Sequence, residues 1–329
     1  MKRIRQMGWI AALAAGLAWS APGVAQAAQQ GYPSRPIQLV VPYAPGGTTD
    51  ALGRILAEKL QSLLGRPVVV ENLSGAGSSI GAARVAQATP DGHTLLFNNM
   101  AQALVGAQYK KLPYDPIDSF EPVGLVAYLP MLLEARADFP ARDLDELVAY
   151  IRKNHARMSI ANGGVAGSTH LCALMIMDAI GVEMTHVPYK GAGPALVDLV
   201  GGSVDLICDS PGSSTELIKS GKLRGYALTD KTRAATLPDI PTFEEQGYPD
   251  MQLLLWHGVY APKGTPPEVV SVLTQALQQT MADESVRDRL AALSITPEAV
   301  EDINPEALRQ RIRSESQRWS PLIEQAIGR

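Results

Sequence analysis

The chain has 329 residues, of which 46% are hydrophobic, and its formal net charge is −4 at pH 7. This composition excludes a disordered or fibrous chain and permits two cores of ordinary size. The acidic balance argues against a nucleic-acid partner, because binding to phosphates needs a positively charged surface.

Residues 1–27 have the pattern of a secretory signal peptide. Three basic residues among the first five precede an apolar run over 7–19, and Ala25-Gln26-Ala27 follows as a small-residue cleavage site. The apolar run is shorter than the roughly 20 residues that a membrane span needs. We therefore expect cleavage near Ala27, export to the periplasm, and a net charge of −7 once the three basic residues are removed.

Short β-rich runs alternate with amphipathic helical patterns along the rest of the chain, which is typical of α/β layering. The predicted strands cover residues 37–41, 67–70, 94–98, 158–161, 185–187, 205–209 and 225–228. The predicted helices include 52–63, 79–88, 144–151 and 168–180, with three more from about 266, 284 and 305. This succession predicts two sheets rather than one.

Two long apolar stretches, near 126–131 and 251–257, are candidates for paired crossovers between two domains. A return of the chain at the second stretch would place the C-terminal helices on the first domain. We therefore expect domain 1 to comprise residues 28–130 and 251–329, and domain 2 to comprise residues 131–250.

Five predicted helices begin beside glycine, and most of them beside a hydroxyl. The junctions read VPYAPGGTTDAL, VVVENLSGAGSSIGAA, MSIANGGVAGSTHL, HVPYKGAGPALV and DLICDSPGSSTELI. A helix start offers unpaired N–H groups and a positive dipole end, and glycine allows close approach of a ligand. Strand-to-helix turns gather at one edge of a parallel sheet, so two facing domains would form a cleft suited to a small anion. Ordinary helix capping explains any single junction equally well.

The anion is better interpreted as a carboxylate than as a nucleotide phosphate. A P-loop needs GxxxxGK[ST], and no lysine follows Gly47 or Gly77 in that register. The loose GxGxxxG of the second junction also departs from the dinucleotide fingerprint. The five histidines lack a close ligand pair, so we expect neither a metal nor a cofactor.

The main enzyme alternative is a secreted serine hydrolase. The sequence GSSIG matches the G-x-S-x-G elbow with Ser79 as nucleophile, and His170, His186 or His257 would serve as the base, with Asp91 or Asp209 behind it. Ser79 follows only the second strand of the mature chain, which leaves little sheet before the elbow. We therefore favour a binding protein without catalysis.

Two residue pairs remain open to more than one interpretation. Asp50 and Arg54 form an i, i+4 pair that is either a surface ion pair or a support in which Asp50 holds the Gly46-Gly47 turn. Cys172 and Cys208 either form a disulfide in an oxidising compartment or lie apart as two buried thiols.

Taken in order, the junctions resemble those of the Bug-type periplasmic solute-binding proteins of tripartite tricarboxylate transporters. The resemblance covers nearly the whole mature chain, including YPSRPIQLVVPYAPGGTTDALGR, ATPDGHTLL, LPYDPIDSFEPV, HVPYKGAGPALVDLVGGSVDL, TLPDIPTFEEQGYPD and APKGTPPEVV. It implies a two-domain periplasmic-binding-protein (Venus flytrap) fold of type II-like form. It also implies a monomer without cofactor that passes a small carboxylate ligand to a membrane permease.

The resemblance also implies where the ligand binds. The first domain would contribute Tyr43, Ala44, Pro45, Gly46, Gly47, Thr48, Asp50, Gly75, Ala76, Gly77, Ser78, Ser79 and Asn98, and the second Gly167, Ser168, Thr169, His170 and Tyr189. Asp209 departs from the expected pattern. An acid there would suit a ligand with an amine or hydroxyl group, or would lie in a solvated loop.

Overall fold

The computed structural model describes residues 31–164, 167–189 and 191–327, so the predicted signal peptide lies outside the described residues. The strands are β1 (Ile37–Val41), β2 (Val68–Asn72), β3 (Thr94–Asn99), β4 (Phe120–Pro130), β5 (Leu132–Arg136), β6 (Ser159–Asn162), β7 (Thr185–Pro188), β8 (Leu206–Asp209), β9 (Leu223–Leu228), β10 (Leu254–Pro262) and β11 (Thr296–Pro297). The helices are α1 (Thr48–Leu64), α2 (Ser79–Ala86), α3 (Ala101–Gln108), α4 (Leu144–Asn154), α5 (Ser168–Ile180), α6 (Ala192–Val200), α7 (Pro211–Lys219), α8 (Pro267–Ala282), α9 (Glu284–Ala291) and α10 (Pro305–Ile327).

The first sheet is mixed, with the strand order β11-β4-β10-β3-β1-β2. β1 runs parallel to β2 and β3, whereas β10 runs antiparallel to β3 and β4. The parallel pairing explains why the turns after β1, β2 and β3 meet at one edge of the sheet. The helices that begin at this edge are α1, α2 and α3.

The second sheet has the order β7-β6-β8-β5-β9. β6 runs parallel to β7 and β8, and β5 runs antiparallel to β8 and β9. All of its strands lie between residues 132 and 228, whereas the first sheet takes strands from both sides of that span. The prediction of two sheets is therefore confirmed.

The two crossover stretches pair with each other, as predicted. Leu254 at the start of β10 lies opposite Pro130 at the end of β4. The long apolar run over 123–136 is two strands rather than one, because the chain passes from the first sheet to the second at Met131. Pro130, the last residue of β4, stands directly before this division in the sequence.

Thr229 joins both crossovers directly after β9. Its hydroxyl accepts a hydrogen bond from the Met131 amide at 2.8 Å and donates to the Leu253 carbonyl at 2.5 Å. Its own amide and carbonyl bond to the same two residues, at 2.9 and 3.1 Å. The side chain is fully buried. Thr229 therefore ties together the two stretches that connect the sheets.

The C-terminal helices return to the first sheet, as predicted. The Thr274 hydroxyl of α8 donates to the Val123 carbonyl of β4 at 2.7 Å, and Lys59 of α1 forms an ion pair with Asp283 before α9. Within the described ranges, no helix is long and apolar enough to cross a membrane.

A disulfide joins Cys172 of α5 to Cys208 of β8, which decides between the two interpretations of these cysteines. Their Cα atoms are 6.0 Å apart, and both residues are fully buried. The bond fixes α5 to the second sheet over a sequence separation of 36 residues.

Candidate functional site

The turn between β1 and α1 presents a helix N-terminus that no side chain caps. Gly47 is the N-cap residue, with φ −84°, and it makes no side-chain capping bond. Gly46 has φ +90°, a conformation that favours glycine. Residues 44–47 are exposed, and a Cβ atom built at Gly47 would meet no atom within 4 Å. The first turn of α1 therefore has no side-chain cap and follows directly after an exposed turn.

Asp50 holds this turn from behind. Its Oδ2 accepts hydrogen bonds from the Gly46 amide at 2.9 Å and from Arg54 Nε at 3.0 Å, and its Oδ1 accepts from Asn72 Nδ2 at 2.9 Å. Burial opposes ionisation of Asp50, but these bonds, led by that from Arg54, lower its pKa below the usual value. The supporting role that the sequence left open is confirmed. It also means that the Gly46 amide is already occupied.

A buried polar network lies beneath the turn. The Tyr43 hydroxyl lies 2.9 Å from Asn98 Oδ1 and 2.8 Å from Asn99 Oδ1. Asn98 Nδ2 donates to Gln102 Oε1 at 2.8 Å and to Ser78 Oγ at 3.3 Å. Asn98 is fully buried, so its side chain positions Tyr43 and Ser78 rather than reaching solvent.

His257 completes this network from β10. Its Nε2 lies 3.0 Å from the hydroxyl of Thr49, which also accepts from Asn99 Nδ2 at 3.3 Å. Burial lowers the pKa of His257 to about 3, so the ring is neutral at physiological pH. Sequence reasoning did not assign Thr49, Asn99 or His257 to the binding site. Asn99 had a signal, because it ends a strand at the edge where ligands bind.

The second turn of the first domain is unusually bent. The positive φ values of Gly75, Ala76, Gly77 and Ser78 are 138°, 45°, 60° and 80°. Alanine and serine rarely adopt this region, so the surrounding structure must hold the turn in place. α2 then begins at Ser79, which is 8% exposed.

The arrangement around Ser79 does not resemble a hydrolase centre. β2, the strand that precedes it, lies at the edge of its sheet. Within the part of the chain that the structure describes, no hydrogen bond joins Ser79 to a histidine, and the only hydroxyl bonded to His257 is that of Thr49. The G-x-S-x-G match therefore lacks the geometry that its chemistry needs.

The corresponding loop of the second domain lies between β6 and α5. Thr169 Oγ1 accepts a hydrogen bond from the Gly163 amide at 2.8 Å, and Asn162 Oδ1 accepts from the Gly164 amide at 3.1 Å. Gly167 is the N-cap of α5 and makes no side-chain capping bond, while Ser168 is half-buried. Thr169 thus stabilises the loop, and the first-turn amides of α5 stay uncapped.

Three other predicted residues have different settings. The Tyr189 hydroxyl donates to Asp198 Oδ2 at 2.7 Å. Asp209 is 5% exposed and ends β8, so it is not part of a solvated loop. His170 packs edge-on against His186 with ring centroids 4.6 Å apart, and burial lowers its pKa to about 4.

His170 lines a cavity of about 610 Å³ between α5 and the end of α10. Leu174 and Met177 of α5 and Leu322 of α10 contribute its apolar wall. Neither the turn over 43–50 nor the turn over 75–79 lines this cavity, so it is separate from the junctions described above.

The two domains touch where a hydroxyl from each meets the other. Thr48 Oγ1, at the start of α1, lies 3.1 Å from Ser210 Oγ, the N-cap residue of α7. Ser210 Oγ is also 2.9 Å from Ser213 Oγ, and Ser210 is buried. The start of α1 in the first domain therefore faces the start of α7 in the second.

Comparison with known proteins gives consistent results. The sequence profile described as "Tripartite tricarboxylate transporter family receptor" matches residues 52–328. A UPF0065 protein of Agrobacterium vitis is 41% identical over 305 residues, covering 93% of this chain and 88% of its own.

Two solved structures resemble this one over most of both chains. The periplasmic binding protein BugD has a TM-score of 0.82 and 43% identity, covering 90% of this chain and 98% of its own. MatC from Rhodopseudomonas palustris with bound malate has a TM-score of 0.82 and 35% identity, covering 89% and 100%.

Proposed function

Because the chain belongs to the tripartite tricarboxylate transporter receptor family and has the two-domain, type II-like fold of periplasmic binding proteins, we propose that it captures a small carboxylate in the cleft between its domains. It then delivers the ligand to the membrane permease of such a transporter. The malate bound to MatC supports a carboxylate as the class of ligand.

The convergence of uncapped helix starts supports this proposal most strongly. The parallel pairing of β6 with β8 brings the starts of α5 and α7 to one edge of the second sheet. The contact between Thr48 and Ser210 brings that edge against the start of α1. None of these three helices has a side-chain cap at its start. Backbone N–H groups from two domains can therefore surround one anion.

The proposed contacts follow from this geometry. The exposed turn over residues 44–47 with Thr48 binds from the first domain, beside Tyr43 and the turn over 75–79. The loop over 167–169 binds from the second domain. Asn98 and Asp50 act as positioning residues, because their polar atoms bond within the protein. His170, Tyr189 and Asp209 stay predicted site residues, but the proposal does not depend on them.

We further propose that the mature protein is a periplasmic monomer without catalytic activity, cofactor or nucleic-acid partner. The receptor function of the family supports the periplasmic location and the absence of catalytic activity. Intact-mass measurement on exported protein should give an N-terminus near residue 28. Turnover of simple esters that Ser79→Ala abolishes would contradict the absence of catalysis.

The central test uses Gly47, where a side chain is compatible with the backbone. Its φ of −84° and its open surroundings mean that Gly47→Ala and Gly47→Val should fold normally while filling the space that the anion needs. Calorimetry with malate and a panel of small mono-, di- and tricarboxylates should show that affinity falls from the native protein to Gly47→Ala and further to Gly47→Val. We expect the valine variant to lose at least tenfold in affinity.

Two results would overturn the proposal. One is full affinity in Gly47→Val, and the other is the absence of binding to every carboxylate in the panel. Gly46 is unsuitable for this test, because its φ of +90° strains any side chain. A substitution there would lower stability as well as affinity. Small-angle scattering should show compaction when the ligand saturates the native protein.

A further inference from the structure

Two buried carboxyl groups lie side by side in the second sheet, behind the start of α7. β5 pairs antiparallel with β8, with Leu132 opposite Asp209 and Glu134 opposite Ile207. Glu134 and Asp209 are therefore diagonal neighbours on the same face of the sheet, within reach of each other's side chains. Glu134 is fully buried, and Asp209 is 5% exposed.

The two groups have few hydrogen-bond partners. Within the part of the chain that the structure describes, neither Glu134 oxygen has one, and neither has Asp209 Oδ2. The Ser210 amide and the Ser213 hydroxyl beside Asp209 lower its pKa, but by less than burial raises it. The Ser214 hydroxyl beside Glu134 lowers the pKa of that carboxyl less than burial raises it, and among the described residues this hydroxyl has no hydrogen-bond partner either.

The other charged groups around the pair are engaged elsewhere. On β5, Arg136 pairs with Asp138 at 2.9 Å and lies 3.6 Å from Asp205, the residue before β8. On α7, Glu216 and Lys219 pair on the exposed side. Asp198 of α6 accepts from Tyr189, and Arg224 of β9 donates to the carbonyls of Phe139 and Ala141.

Apolar side chains also pack on this face. The side chains of Leu132, Ile218 and Ile240 approach one another around Gly225, the residue opposite Glu134 on β9. Two adjacent carboxylates cannot both ionise in such surroundings without a large cost. Burial, followed by the charge of Asp209, raises the pKa of Glu134 well above its usual value, and burial raises the pKa of Asp209 to about 6.

We propose that Glu134 and Asp209 together bind one proton in the folded protein, and that this proton holds the start of α7 in the position needed for ligand capture. The connection to the cleft is short. Asp209 is followed by Ser210, whose hydroxyl meets both Thr48 of the first domain and Ser213 of α7. A second negative charge would repel its neighbour and disturb this segment. The link to ligand capture rests on the proposed function, whereas the proton site itself does not.

The direction of the pH effect follows from proton linkage. Both carboxyls are ionised in the unfolded chain above about pH 5, since their unperturbed pKa values are about 4. The folded protein keeps one proton to higher pH, so its stability falls as pH rises. From about pH 7.5 to 8.5, histidines with the usual pKa of about 6.5 are at most about one-tenth charged in the unfolded chain, so they contribute little to the slope. In that window the unfolding equilibrium constant should rise by up to tenfold per pH unit.

The primary test compares the wild type with Glu134→Gln by urea unfolding between pH 7.5 and 8.5, without ligand. The amide has the same shape but does not ionise, so its pH slope should be flatter and its stability at pH 8.5 higher than that of the wild type. Asp209→Asn is the second variant and should flatten the slope similarly. Glu216→Gln, on the exposed side of α7, is the matched control and should follow the wild type.

The second readout is calorimetry with malate, or with the best carboxylate of the panel, over the same pH range. Wild-type affinity should fall with pH, and that of Glu134→Gln should not. Parallel stability profiles in the wild type and both variants would overturn the proton site. Stability that rises with added sodium or calcium would instead indicate a bound cation. If stability depends on pH as expected but wild-type affinity does not, only the link to ligand capture is overturned. If no carboxylate binds, that result counts against the proposed function alone.

Discussion

Thr48 Oγ1 and Ser210 Oγ lie 3.1 Å apart, although 162 residues separate them in the chain. Thr48 is the first residue of α1 in the first domain, and Ser210 is the N-cap residue of α7 in the second. Neither helix has a side-chain capping bond at its start. The pair therefore joins the domains at the place where the anion is proposed to bind. This hydroxyl contact links the starts of α1 and α7 directly.

Thr48→Val should weaken ligand binding by about fivefold, because it removes one hydrogen bond with a net worth of about 1 kcal/mol. Valine keeps the shape of threonine, so packing changes little. Thr48→Ser keeps the hydroxyl and is the matched control, with nearly native affinity expected. Calorimetry on the three proteins measures the difference. Equal affinity in Thr48→Val and Thr48→Ser would show that the contact does not contribute to ligand binding.

Removal of the disulfide between Cys172 and Cys208 should lower the free energy of unfolding by about 4 kcal/mol, from the loop-entropy relation for a 36-residue separation. The double variant Cys172→Ala with Cys208→Ala tests this by urea unfolding. Thiol titration of the denatured native protein should find no free thiol before reduction and two after it. Two free thiols in exported, unreduced protein would contradict the bond.

Much of the fold could be predicted, because local sequence signals agree with it. Strand β1 (Ile37–Val41) and helix α5 (Ser168–Ile180) begin and end where predicted, since each is bounded by turn or cap residues. Helix α3 (Ala101–Gln108) was missed, because it follows β3 after a single residue and no glycine or proline marks the change. The predicted family and two-domain fold are confirmed.

The candidate site was predictable only where its contacts are local. The bond from the Gly46 amide to Asp50 spans four residues, and the helical register suggests it. The contact between Thr49 and His257 spans 208 residues, so no local sequence pattern predicts it. Asn98 was predicted as a ligand residue. The direction of its side chain, into the network with Gln102, depends on tertiary packing.

Thr229 should be critical for the connection between the domains. In Thr229→Val the Met131 amide and the Leu253 carbonyl both lose a buried partner, which should cost about 2–4 kcal/mol of stability. Thr280→Val is a matched control, because Thr280 is equally buried but bonds to the Ala276 carbonyl four residues earlier in α8. That change should cost less than about 1 kcal/mol, since the helix already satisfies this carbonyl. Equal losses in urea unfolding would remove the special role of Thr229.

His257 should contribute to loss of stability in acid. Burial lowers its pKa to about 3 in the folded protein, whereas the unfolded value is about 6.5. The unfolded chain therefore binds an extra proton between these values, and stability should fall as pH decreases from about 6.5 towards 3. The slope from one such group is at most about 1.4 kcal/mol per pH unit.

His257→Gln should reduce the fall of stability with decreasing pH, because glutamine does not titrate and can still donate to the Thr49 hydroxyl. His155→Gln is the control for replacing a histidine, because the His155 ring bonds to the Glu183 carbonyl and lies outside the network around Thr49. His170 and His186 titrate in the same direction in all three proteins, so the difference between profiles isolates His257. Urea unfolding at intervals from pH 4 to 7 provides the measurement. Identical slopes in the native protein and His257→Gln would mean that His257 is not held neutral by the fold.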